Sequence, residues 1–293
     1  MDQRIFTLLE KVNQKNIELN LHKLTNFHTR HSKSTHINGA SEWILNELKG
    51  LGYVDVNYSR FNETIDKEEF ELRNIICKKK GLDDKVIILC AHYDCRIENL
   101  KDSISRAPGA NDNASGVCAI IEIARILFSE KLEHSLQFVL FAGEEQGLLG
   151  SKNYVKYIKD SRTNLYRLIN LDMIGYPKLN PGTVIIELDN NPDPIHNTVK
   201  ENDDKSIELG EVMKKMFSYT DLQFHFDSIY DSDYEPFEAE GYIVIGVYDG
   251  SAATNNPNYH STLDVPSLID WRYLTSVTKI VLATILNITL VKN

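Results

Sequence analysis

Cysteine is scarce in this chain of 293 residues, with only Cys77, Cys90, Cys95 and Cys118. No two are spaced as C-x-x-C, which leaves neither a zinc knuckle nor a dithiol redox motif. None lies beyond Cys118, so no disulfide can form in the C-terminal half. Reduced thiols packed in the core are the expectation, with Cys95, next to Asp94, a candidate for lining a site. Long apolar runs are missing too. The N-terminal MDQRIFTLLEKVNQ carries polar and acidic residues where a signal peptide needs unbroken apolar ones. The most apolar stretch, 280–291, is too short and too interrupted by Thr and Asn to span a bilayer. Positive charge is in deficit: 32 Lys and Arg against 42 Asp and Glu give a net −10. Such a balance argues against nucleic acid or an anionic membrane as partner. No internal repeat or linker stands out. The absent leader and unpaired thiols favour the cytoplasm; export after removal of a leader remains the other option.

What is present describes an ordinary globular protein, 42% hydrophobic and 25% charged, with enough core for one α/β domain over residues 1–293. Apolar positions at helical spacing predict a helix over 4–18 (Ile5, Leu8, Leu9, Val12) and another over 39–51 (Trp43, Ile44, Leu48). Strands are expected at 53–59 and 71–78, both interleaved with polar residues as an antiparallel edge would be. The continuous apolar run at 85–91 suits a buried central strand. Then follow a strongly apolar helix at 114–129, a strand at 135–142, a helix from about 151 to 159, and strands at 166–172 and 183–188. A loop over 189–204 leads to a helix near 205–218, a strand at 242–248 and a last helix over about 267–290. Alternation of this kind predicts a three-layer α/β/α sandwich with a mixed, mostly parallel central sheet. The segment 26–36, with His28, His31 and His36, is irregular and lacks an accompanying carboxylate, so it reads as a solvated loop rather than a metal site.

The chain is organised around Cys90 to Asp112. The strand at 85–91 delivers His92-Tyr93-Asp94 at its C-terminal tip, where open α/β sheets bind their ligands, and the following loop returns Asp112 to the same edge. Glu144 and Glu145 follow the next strand, Asp172 the one after, and His260 lies in the loop beyond the strand at 242–248. Singly, an Asp at a strand end is more often a turn or cap. Collectively, so many ionisable groups at buried strand ends would be costly unless paired or bound to metal. Two histidines with several carboxylates and no thiolate suit zinc, with cobalt or manganese as competent substitutes.

The ordered set His-Tyr-Asp (92–94), Pro-Gly-Ala-Asn-Asp-Asn-Ala-Ser-Gly (108–116), Ala-Gly-Glu-Glu-Gln-Gly-Leu-Leu-Gly-Ser (142–151), Asn-Leu-Asp-Met-Ile-Gly (170–175) and Tyr-His-Ser-Thr-Leu-Asp (259–264) closely resembles the di-zinc exopeptidases typified by bacterial leucyl aminopeptidases, metallopeptidase family 28. The resemblance implies the zinc-exopeptidase fold and a set of roles. His92 and Asp172 would hold one zinc, Glu145 and His260 the other, and Asp112 would bridge the two. Asp94 would accept the second ring N–H of His92, and Asp264 would do the same for His260. Glu144 would be the general base that takes a proton from water and returns it to the leaving amine. Peptides with a free N-terminus would be the substrates.

Where the family often has Ser-Asp-His, this chain has Ser232-Asp233-Tyr234, which leaves the metal ligands intact but alters the substrate-side wall. Tyr230 and Tyr234 are candidates for a phenol that hydrogen-bonds the oxyanion. The loops after residues 143, 176 and 227 would wall an apolar or mixed pocket for the substrate side chain. Three alternatives share the scaffold. A glutaminyl cyclase would use one zinc and is disfavoured by the uninterrupted 143–151 segment. A non-catalytic module would have lost ligands that are all present. A carboxypeptidase would need an arginine cluster for the substrate carboxylate, for which only loop residues such as Arg96 and Arg106 offer themselves.

Overall fold

Alternation along one strand sets the layering. In β3 (Val86–His92) every residue is buried; Val86, Ile88 and Cys90 join one apolar cluster, while Ile87, Leu89 and Ala91 join another on the opposite face. A strand apolar on both faces requires cover on both. On one side lie α1 (Gln3–Leu9), α2 (Gln14–Thr25), α3 (His36–Gly50), α4 (Ser115–Leu127), α6 (Asp203–Met216) and α8 (Trp271–Thr289), which contribute Leu8, Leu21, Ile44, Ile120, Leu209 and Val281 to the larger cluster. On the other lie α5 (Leu149–Asp160) and the short α7 (Glu235–Glu238), contributing Tyr154, Ile158 and Phe237. This is the expected three-layer α/β/α arrangement. The computed structural model describes residues 2–177, 182–251 and 255–291. Among them no helix is long and apolar enough to cross a membrane.

The remaining strands are β1 (Val56–Ile65), β2 (Glu68–Lys79), β4 (Ser135–Phe141), β5 (Leu165–Leu171), β6 (Thr183–Leu188), β7 (Gln223–Ser228) and β8 (Val244–Tyr248). All eight form one sheet in the order β1-β2-β4-β3-β5-β8-β6-β7. The central block β4-β3-β5-β8 is parallel, as is β6 with β7; β1–β2, β2–β4 and β6–β8 are antiparallel. Parallel strands aim their C-terminal ends at one edge, so the segments after β3, β4, β5 and β8 converge there.

Four local features depart from the sequence reading. The helix expected over 4–18 breaks in two because Asn13 caps α2, its side chain accepting from Lys15 N–H, while the buried Glu122 accepts from Asn13 N–H at 2.7 Å. The first hairpin is longer than expected, closed by Asp66-Lys67 with both φ positive, as a tight two-residue turn requires. The edge strand β7 and helix α7 were not foreseen. In β7 only Phe224 and Phe226 are apolar and alternate residues are exposed, so six residues carry little periodic signal. In α7 the helix is a single turn.

All four thiols are free and buried. Burial pushes Cys77 up to about 12 and Cys95 up to about 11, and raises Cys90 and Cys118 as well. A thiol reagent such as dithiobisnitrobenzoate at mildly alkaline pH is therefore expected to modify none of them promptly in the folded protein, and all four in guanidinium. Rapid modification of a single thiol before unfolding would contradict this packing.

Candidate active site

Five strand-end and loop segments bring the predicted acids and histidines together. His92 closes β3, and its Nε2 lies 3.2 Å from Oδ1 of Asp112 and 3.2 Å from Oδ1 of Asp172. His260 Nε2 lies 2.9 Å from the other oxygen of Asp112, Oδ2, and 3.1 Å from Glu145 Oε2. The result is two triads, His92–Asp112–Asp172 and Asp112–Glu145–His260, each with its donor atoms within 4.8 Å of one another and with Asp112 common to both. Ligand atoms around a tetrahedral zinc, at about 2.0–2.1 Å from the ion, are separated by about 3.3 Å; the spacings in both triads are close to that edge. Among the described residues Glu145 Oε1 has no hydrogen-bond partner although it is buried, unusual for a polar atom in an interior. Donor chemistry, spacing and that unpartnered oxygen fit divalent metal binding.

The protein charges alone leave these groups strongly perturbed. Burial pushes Asp112 up, but the hydrogen bonds and charges of His260 and His92 outweigh it and hold the acid well below the usual carboxylate range. Burial opposes protonation of His260, yet its hydrogen bonds to the Asp112 and Glu145 carboxylates raise it to about 9. Burial lifts Glu144 well above an ordinary carboxylate, with Asp172 and Glu145 adding to the shift against His92. Clusters of such shifts are characteristic of working sites.

The carboxylate ligand candidates are held from behind. Asp172 Oδ2 accepts from the Ser232 hydroxyl at 2.6 Å, and that hydroxyl is in turn held by Asn170 Nδ2 at 2.8 Å. Asp94 departs from its expected role: its Oδ1 is 3.7 Å from His92 Nδ1, beyond hydrogen-bond range. Its carboxylate instead accepts the backbone N–H groups of Glu144 and Glu145, both at 3.2 Å, so it braces the turn that presents the two glutamates. Asp264 likewise does not serve His260. It accepts the backbone N–H groups of Asn111 and Asp112 at 2.9 and 3.0 Å, fixing the shared carboxylate through its own main chain. Asn74 braces the glutamate turn from β2, accepting from Ala142 N–H and donating to Gly150 O.

The histidine-rich segment is not a solvated loop throughout. Thr29 to Ser32 are buried. Arg30 has no exposure at all and donates to the carbonyls of Tyr93, Pro108 and Gly109. His31 Nε2 donates to Leu100 O, and His28 Nε2 faces Ile104 O at 3.0 Å, so the histidines pin the loop between Asp94 and Asp112 and do not gather around a metal. Cys95 belongs to the same latch. Its sulfur accepts from Arg30 N–H and donates to Ala107 O, and it does not line the site.

A cavity of about 450 Å³ opens over the triads, lined by His92, Asp112, Glu144, Asp172 and His260 and extending to Glu187, Asp227, Tyr230, Asp231, Tyr234, Tyr248 and Tyr259. It is more acidic than the apolar or mixed pocket anticipated. Of the expected walls, the loops after 143 and 227 contribute; residues 178–181 of the loop after 176 lie outside the described residues. Tyr234 does replace a wall residue, but its buried phenol is committed, accepting from Tyr230 N–H and bonded to Glu187 at 3.1 Å. Tyr230 is 65% exposed and packs on His196. Sequence reasoning missed Tyr259, whose ring stacks on His260 at 3.6 Å; its place beside a candidate ligand was the available signal. Arg96 and Arg106 do not face the cavity: Arg96 Nε bonds Glu145 Oε2 at 2.6 Å, and Arg106 reaches Thr25 O. Replacing Arg30 by Met strands three buried carbonyls. At about 1–3 kcal/mol for each group left unsatisfied, urea denaturation is expected to show a loss of about 3 kcal/mol or more; a loss under 1 kcal/mol would mean that water or a shifted backbone takes over.

Comparison with known proteins places this geometry. The family model for peptidase family M28 matches residues 74–285. A probable zinc metalloprotease from Pyrenophora tritici-repentis is 35% identical over 201 residues, covering 62% of this chain and 46% of that protein, so the match spans less than half of the relative's length. Among solved structures, the LapA aminopeptidase of Legionella pneumophila superposes with a TM-score of 0.80 at 20% identity, over 99% of this chain and 76% of that one. A glutaminyl cyclase from Bacteroides thetaiotaomicron gives 0.75 at 22%, over 94% and 98%. At these identities the two structures testify to the fold alone. The family match, which takes in every residue of both triads, is what decides kinship: the chain belongs to peptidase family M28.

Proposed function

We propose that this protein is a zinc aminopeptidase that releases the N-terminal residue of peptides at a two-metal centre. The observation that carries the reading is the division of Asp112, one oxygen 3.2 Å from His92 Nε2 and the other 2.9 Å from His260 Nε2. A carboxylate shared in this way suits two cations side by side. His92 and Asp172 would hold one, Glu145 and His260 the other, with Asp112 between them. Bound zinc supplies Lewis acidity toward the scissile carbonyl and brings the pKa of a water toward about 7.

The protein's own part is positioning and proton transfer. Glu144 lines the cavity beside His92 and Asp172, and Asp94 fixes its backbone. Its carboxylate takes the proton of the attacking water and delivers it to the departing amine, and burial raises its proton affinity. Among the described residues no Lys or Arg lines the cavity. That lining favours a substrate's free ammonium over its carboxylate, and so an aminopeptidase over a carboxypeptidase. A glutaminyl cyclase with one zinc would leave the second triad, as compact as the first, without purpose.

Two measurements test the reading. Metal analysis after zinc loading is expected to return two equivalents, falling toward one or fewer in Asp112→Asn; a single equivalent in the wild type would favour the cyclase. Glu144→Gln is expected to retain both equivalents while the rate of Leu-p-nitroanilide hydrolysis falls by about 10²–10⁴. Near-normal turnover in that variant would remove Glu144 from the role of base.

A further inference from the structure

The cavity contains more acid than the hydrolytic centre uses. Beyond the two triads and Glu144 it is lined by Glu187, Asp227 and Asp231, together with Tyr230, Tyr248 and Tyr259. Among the described residues no Lys or Arg answers these carboxylates within it.

Glu187 is the most informative. It lies in β6 opposite Gly246 of β8, and Gly246 in turn pairs with Asn170 of β5, two residues before Asp172. A Cβ at position 246 would stand 2.2 Å from Glu187 Oε2 and 2.7 Å from the Tyr234 ring. The glycine therefore makes room for the carboxylate to lie across β8, a use of glycine common where another group must approach a strand closely. Two strand spacings, about 9.5 Å, separate the backbone of Glu187 from β5. That distance is one a long side chain spans when its own backbone sits over the triads.

A carboxylate in this position is expensive. Glu187 is only 9% exposed, and among the described residues its one side-chain hydrogen bond is to the Tyr234 phenol. Burial, reinforced by the charge of Asp172, pushes it up to about 8. An aliphatic side chain entering the cavity would complete its desolvation and offer nothing in return. An ammonium or guanidinium would offer a charge-assisted hydrogen bond at the bottom, contact with the tyrosine faces along the stem, and the exposed carboxylates of Asp227 and Asp231 at the rim.

We propose that Glu187, with Asp227 and Asp231, selects peptides whose N-terminal residue is lysine or arginine. The inference rests on the aminopeptidase reading above and narrows its substrate class.

The test compares lysyl-, arginyl- and leucyl-p-nitroanilide with the zinc-loaded full chain, alongside calorimetric binding of arginine amide and leucine amide. The basic anilides are expected to exceed the leucyl one in kcat/KM by about tenfold or more. Glu187→Gln is expected to pull that ratio toward one, and Asp227→Asn, an exposed change, to lower it less. A misfolded variant would lose all three activities together and leave the ratio where it was, so the ratio is the readout. A wild-type preference for leucine, or a ratio unmoved in both variants while leucyl activity persists, overturns the proposal. If no anilide is cleaved with zinc, cobalt or manganese, the aminopeptidase reading fails. The pocket is then judged by binding alone: tighter arginine amide sustains it, and equal or weaker binding sinks it.

Discussion

A carboxylate whose two oxygens face two different imidazoles cannot be left to its own rotamers. The placement of Asp112 between His92 and His260 is the constraint from which the surrounding architecture follows. The side chain is short, so its direction is set almost wholly by the backbone, and that backbone is tied on every side. Asp264 takes the N–H groups of Asn111 and Asp112. Asn111 reaches Asp249 and Ser251, and Asp249 also takes the N–H of Tyr176 beyond β5. Asn113 bonds Leu171 O and accepts from Met173 N–H, so it joins the start of α4 to the end of β5. Upstream, Arg30 holds the carbonyls of Pro108 and Gly109. Gly109 itself has φ +52, with Asp112 O and Arg30 Nη2 each within 3 Å of where a Cβ would stand, so only glycine suits the turn.

These ties explain why many buried polar groups here are not themselves candidates for chemistry. Asp249 and Asp264 are each pushed up to about 7 by burial, a cost the fold accepts because their hydrogen bonds fix main-chain direction. Asp94 belongs with them. The resemblance assigned it to the His92 ring, yet its two oxygens are spent on the Glu144 and Glu145 amides. Orientation of the glutamate pair is its visible work, and the 3.7 Å gap to His92 Nδ1 leaves that ring's second nitrogen without a partner. A buried polar network of this kind must be satisfied to be worth its desolvation, and the carboxylates of Asp94, Asp249 and Asp264 are, each accepting main-chain N–H groups.

The scaffold was legible in the sequence because its signals are local and strong. Continuous apolar runs identify β3, β4 and β5, and the chemistry-bearing residues follow them immediately, so sheet geometry alone carries His92, Glu144, Glu145 and Asp172 to one edge. What escaped was whatever depends on pairing across sequence distance. The burial of Arg30 arises only because the 29–32 strap docks under the turn at 108–109, and a polar segment gives no sign of that. β7 escaped because an edge strand needs only one apolar face. The resemblance assigns Asp264 to His260, whereas its carboxylate lies under Asp112 and takes main-chain N–H groups. A motif says that two groups are near, but not which atom each will bond.

The acidity of the pocket escaped for the same reason, and it shows how one substitution acts through geometry. Tyr234 stands where the resemblance leads one to expect histidine. A histidine there could bring its own positive charge to Glu187; a phenol brings only a hydrogen bond, 3.1 Å long. It thereby leaves the acid, which burial pushes up to about 8, without a cation to stabilise its charged form. Gly246, in the middle of a buried strand, admits both the carboxylate and the Tyr234 ring at once, whereas any larger residue would drive them apart. Tyr234 and Gly246 therefore act as one device. The first withholds a cation, and the second keeps the anion pressed toward the cavity. An acid maintained so close to the two triads, at the expense of burial and without a cationic partner among the described residues, is explained most economically if a positive charge arrives with the ligand.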